Sequence, residues 1–122
     1  MANKVFINEQ DIVECHVIGD QTYESVQTMG SQIETLFSQL SQQHKARLAL
    51  DDVTQIGQAP PEARNKVVEL AKSLPYDRLA MLGSSGVIRF GANLIIRASG
   101  RANRLRYFTD RAQAIAWLQE RK

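Results

Sequence analysis

The chain has 122 residues, 43% of them hydrophobic and 23% charged, with a formal net charge of +2. That length suits one domain, 1–122, burying roughly two-thirds of the surface of the unfolded chain, and the composition excludes a disordered or fibrous protein. A charge so near balance gives no ground for nucleic acid as a partner. The single Cys15 excludes an intrachain disulfide or a cysteine-based metal framework, and with no signal-like or membrane-spanning apolar run we expect a cytoplasmic protein.

Val5-Phe6-Ile7 is a short β-rich run, and a polar turn over 8–11 leads into residues 12–18, so the two are expected to pair as a hairpin. In the second strand Val13, Cys15 and Val17 share one face while Glu14 and His16 take the other, which puts Cys15 in the core. Thr22 suits the cap of a helix in which Tyr23, Val26, Met29, Gly30, Ile33, Phe37 and Leu40 recur at three- and four-residue spacing. Its other face is polar, as on a surface helix.

Arg47-Leu48-Ala49-Leu50-Asp51 reads as a strand covered on both faces. Pro60 and Pro61 suit the first turn of a helix whose Ala63, Val67, Leu70, Ala71 and Leu74 face inward, with Pro75 as its stop. A second buried strand, Leu79-Ala80-Met81-Leu82, runs through Gly83-Ser84-Ser85-Gly86 into a third helix over 86–98, which Gly100 ends. Residues 104–108 alternate basic with apolar, and Asp110 with Gln113 resembles a capping box for a last helix that buries Ala114, Ile115 and Leu118. The order is β-β-α-β-α-β-α-β-α: an α/β domain with a mixed, mostly parallel sheet and helical cover.

From Val5 to Leu118 the chain resembles the SpoIIAA-like family of STAS-type (STAS/SEC14-like) domains. The likeness rests on Leu48-Ala49-Leu50-Asp51, on Arg78-Leu79-Ala80-Met81-Leu82-Gly83, and on Tyr107-Phe108-Thr109-Asp110 followed by Ala114 and Ala116-Trp117-Leu118. The resemblance implies binding and regulation in place of catalysis. In the anti-sigma-factor antagonists of that family an Asp-Ser pair at the start of a helix carries a phosphorylated serine; here Gly57-Gln58 matches it. Gln58 has no hydroxyl, so the resemblance does not extend to that phosphoserine switch, and Thr54 is not at the matching place.

The third helix is the most informative segment. At about 100° per residue, Arg89, Asn93 and Arg97 occupy an arc of about 80° and apolar residues fill the rest, whereas a surface helix needs an apolar stripe only somewhat over 100° wide. Phe90 and Ile96 flank the polar arc and are expected at the rim of a contact. We therefore take Arg89, Phe90, Leu94, Ile95, Ile96 and Arg97 as the candidate binding residues. Arginine at the edge of an apolar helix suits anionic headgroups, its stem lying on the apolar surface while the guanidinium pairs with phosphate or carboxylate. The expected partner is a small apolar or amphiphilic anionic ligand or a peripheral membrane surface. A homodimer or a regulatory protein on the same helix is the alternative, and the chain's own cover is the simplest account.

Gly83, Ser84, Ser85 and Gly86 stand between a strand and a helix start, where backbone N–H groups hold anions. Without a P-loop lysine or full GxGxxG spacing, an ordinary turn with a serine cap is the favoured reading. Asp51 and Asp52 diverge in an extended strand, which favours a loop or cap role over a metal pair, and neither His16 nor His44 has a nucleophile beside it in sequence. No enzyme, metal or cofactor is implied. Tyr107 and Phe108 are adjacent and so cannot both stack bases beside Arg104 and Arg106, which argues against nucleic acid.

Overall fold

In a computed structural model that describes residues 2–120, nine elements follow in chain order: β1 (Lys4–Ile7), β2 (Val13–Gly19), α1 (Tyr23–Gln42), β3 (Leu48–Ile56), α2 (Pro61–Ser73), β4 (Arg78–Leu82), α3 (Gly86–Ser99), β5 (Leu105–Phe108) and α4 (Arg111–Leu118). The strands stand in the order β1-β2-β3-β4-β5. The β1/β2 hairpin is antiparallel and every later neighbour is parallel, as the α crossovers between successive strands require.

The period-two alternation of the strands divides the core into two layers. Val13, Cys15, Ala49, Leu79, Met81 and Leu105 face α1, α2 and α3. Leu50, Ala80 and Leu82 face the other way, against Ala114, Trp117 and Leu118 of α4. Local chemistry fixes the helix ends. Thr22 and Ser25 form a reciprocal capping box at α1, Pro60 and Pro61 open α2, and Gly100, at φ +72°, closes α3 in the left-handed conformation that glycine adopts without strain. Asp110 caps α4 by accepting from the Ala112 N–H.

Three expectations need correction. Tyr23, counted with the inward stripe of α1, is 39% exposed at the first turn, where its ring lies under the Lys66 ammonium. The third strand does not stop at Asp51 but runs to Ile56, because Val53 continues the inward alternation while Asp52 turns outward and accepts from the N–H and hydroxyl of Thr54. Asp51 and Asp52 are therefore strand residues on opposite faces, neither loop nor cap. At α4 the inward set is Ala114, Trp117 and Leu118, with Ile115 half-buried.

Candidate functional site

α3 starts where β4 ends. Ser85 is its N-cap, its Oγ accepting from the Ile88 N–H at 3.1 Å, so the serine of the Gly83–Gly86 turn is engaged in capping. Gly83 is required there for space. A Cβ at this position would lie 2.3 Å from the Tyr107 hydroxyl oxygen and 2.7 Å from Ile88 Cγ2, which shows how closely the Tyr107 side chain crosses the turn. Tyr107 in turn carries the Arg89 guanidinium over its ring, 5.6 Å from the centroid.

The helix turns Ala92, Ile96 and Ser99 inward, and half-buries Ile88 and Ile95 against the same core. Three large apolar side chains are left outside: Val87 is 85% exposed, Phe90 68% and Leu94 49%. Spaced i, i+3 and i+7, they form one ridge along α3, which the exposed Ala98 extends. Arg97 stands exposed beside it. Among the described residues neither Arg89 nor Arg97 pairs with a carboxylate, and from residue 83 to 109 the chain contains no acid at all.

The structure thus divides the six residues taken from the sequence. Phe90, Leu94 and Arg97 lie together on the outer surface, and Arg89 leans toward β5. Ile96 does not belong with them: it is a core residue, because the flank of the polar arc that it occupies is the one that meets the sheet. Ile95 is half-buried at the edge of the same core. Val87 joins Phe90 and Leu94 on this exposed ridge without having been among the six, although its spacing three before Phe90 and seven before Leu94 was the signal that could have found it. Two surface cavities, one lined by Asp20, Gln58 and Arg64 and the other by Asn3, Glu24 and Thr28 among others, include no residue of α3.

A second polar cluster lies on the opposite side of the sheet. Glu14 is buried and accepts from the Arg111 guanidinium at 2.7 and 2.9 Å, from Asn8 at 3.0 Å, and pairs with His16 Nε2 at 2.7 Å. The Arg111 guanidinium beside it holds its carboxyl down to about 2, against the opposing effect of burial. His16 is stacked on Phe6 and is tied to Glu14, with Asp52 3.9 Å from its Nδ1, so both ring nitrogens look toward carboxylates and none toward a nucleophile. Among the described residues no three His, Cys, Asp or Glu side chains converge as metal ligands, and no helix is long and apolar enough to cross a membrane.

Comparison with known proteins accords with this architecture. Residues 22–122 match the profile of a family described as a domain of unknown function, DUF7793. Among solved structures the chain is similar to an uncharacterised protein of the DUF3478 family, with a SpoIIAA-like fold, from Shewanella loihica PV-4. The TM-score is 0.72 at 20% identity, over 96% of this chain and 93% of that one. No curated protein matches the chain. The fold is SpoIIAA-like, as the sequence motifs led us to expect.

Proposed function

The chain belongs to the DUF7793 family of domains, and from its SpoIIAA-like fold and its outward-facing α3 we propose that it is a non-enzymatic binding domain that docks on an anionic membrane surface. The observation that carries this reading is the Val87–Phe90–Leu94 ridge on a helix that bears two arginines and no acid. An exposed helical ridge can lay its whole apolar face on a broad, deformable surface at once, with the arginines at its edge against anionic headgroups.

The magnitudes support a reversible contact. Scaled by their exposures, covering the three side chains would contribute roughly 3–6 kcal/mol. Two arginines near an anionic surface add about 1 kcal/mol each. The sum is close to that of a single myristoyl chain, which gives marginal, reversible membrane binding. A second copy of the chain is the weaker partner for this ridge. A two-fold contact along an acid-free helix brings Arg89 and Arg97 of both copies together, with no carboxylate on α3 to offset them.

Vesicle flotation tests the reading. Wild type should float with phosphatidylglycerol-rich vesicles and remain behind with pure phosphatidylcholine, and Phe90→Asp should abolish flotation. Equal flotation with both lipids refutes the preference for an anionic surface, and none with either refutes membrane docking. A dimer in sedimentation that Phe90→Asp dissociates would instead make the ridge a protein interface.

A further inference from the structure

α3 is not equally exposed along its length. The exposure of its ridge falls from 85% at Val87 to 68% at Phe90 and 49% at Leu94, so the ridge stands out furthest at the N-terminal end of the helix. Val87 and Leu94 lie about 10 Å apart along the axis, which is comparable with the roughly 5–10 Å to which an interfacial helix enters the boundary between headgroups and acyl chains. An inclined helix would therefore hold these residues at separate depths.

The charge on α3 follows the same polarity. Ser84, Ser85 and Gly86, which lead into the helix, are exposed and uncharged, and the first turn has no acid. Arg89, the cation nearest this end, is drawn to the β5 side, its guanidinium over the Tyr107 ring. At the other end Arg97 is exposed in the last turn, and Arg104 is exposed beyond it. The uncharged end suits the acyl boundary and the basic end suits the phosphates. Exposed acids limit the tilt. Glu62 in the first turn of α2 and Asp110 at the start of α4 stand at the same edge of the sheet as the start of α3, because β3, β4 and β5 run parallel. An anionic surface would repel them if the domain stood upright on that edge.

We propose that α3 enters the bilayer obliquely, Val87 first, as a short wedge with an uncharged tip, and that it selects loosely packed anionic membranes of high curvature over flat ones of the same composition. Oblique entry rests on the docking reading and specifies the membrane that suits it. A wedge so poor in charge holds chiefly through Val87, Phe90 and Leu94, which need gaps between headgroups. Curvature opens such gaps, and the binding of interfacial helices is sensitive to it.

Depth-dependent quenching tests the entry. A fluorophore is placed in turn on Val87→Cys, Leu94→Cys and Ala98→Cys, Cys15 being fully buried and so unreactive. It is then quenched by nitroxide lipids labelled at shallow or deep acyl positions in phosphatidylglycerol-rich vesicles. The expected order of depth is Val87, then Leu94, then Ala98. Wild-type flotation should be several-fold stronger with sonicated small vesicles than with extruded large ones of the same lipid. Equal depths at the three positions, or the reverse order, overturn oblique entry. Equal flotation with small and large vesicles overturns the selection for curvature. Flotation with neither refutes docking itself, an outcome distinct from the other two.

Discussion

Glu14 and Arg111 join two distant parts of the chain, 97 residues apart, through a bidentate pair. The carboxylate is almost wholly buried, whereas the arginine side chain is 45% exposed. Removing the arginine leaves a buried charge with only Asn8 and His16 to satisfy it. We expect Arg111→Ala to cost about 2 kcal/mol in denaturant unfolding, less than the roughly 3–5 kcal/mol of a fully buried pair because water already screens the guanidinium. The pH dependence has a definite sign. Glu14 is held down from 4.5 to about 2, so its contribution is present above the upper value and lost as pH falls through that window. In Arg111→Ala this acid-side loss should shrink; an unchanged acid limb of the stability curve would show that the pair is not what holds Glu14 ionised.

At the scale of elements, two close approaches set where the helices sit. A Cβ on Gly30 would come 2.7 Å from Leu70 Cδ2, the far end of a flexible side chain between α1 and α2. A Cβ on Gly83 would meet both the Tyr107 hydroxyl oxygen at 2.3 Å and Ile88 at 2.7 Å, at the very start of α3. Gly30→Ala should therefore be close to neutral in thermal melting, the shift of Leu70 being offset by the gain in helix propensity of about 1 kcal/mol. Gly83→Ala should cost about 1–3 kcal/mol, as overpacking does. The reverse ranking would mean that the Tyr107 crossing does not fix the position of α3.

The element order was legible because each helix shows its period and its cap: Thr22, Pro61, Ser85 and Asp110 all sit at helix starts. The length of β3 was not, because Asp51 and Asp52 look like the end of a strand until the outward Asp52 finds Thr54. The phase of α3 was not legible either. A helical wheel gives the width of an apolar arc but not the direction of the sheet, and Phe90 and Ile96 flank the polar arc alike. Packing against the sheet broke that symmetry, burying Ile96 and leaving Phe90 outside.

Across the whole molecule, the arginines of the last third do not form one basic patch. Arg101 is bound to the Leu74 carbonyl, Arg106 lies over the Trp117 ring and Arg111 pairs with Glu14, on different sides of the sheet. Only Arg97 and, more loosely, Arg89 stand by the ridge, so two charges worth about 1 kcal/mol each set the preference for anionic lipid while the apolar ridge supplies most of the contact. Arginine stems and guanidinium groups bind internal carbonyls and rings readily, so Arg101, Arg106 and Arg111 add little to a basic surface.

The central claim, that α3 enters an anionic bilayer, is tested most directly by an environment-sensitive fluorophore on Val87→Cys. Cys15 is fully buried, so the introduced thiol is the one that reacts. With phosphatidylglycerol-rich vesicles the label should shift to the blue and become shielded from an aqueous quencher, while with phosphatidylcholine vesicles it should do neither. A label that stays fully quenchable while the protein is bound to anionic vesicles would contradict the account.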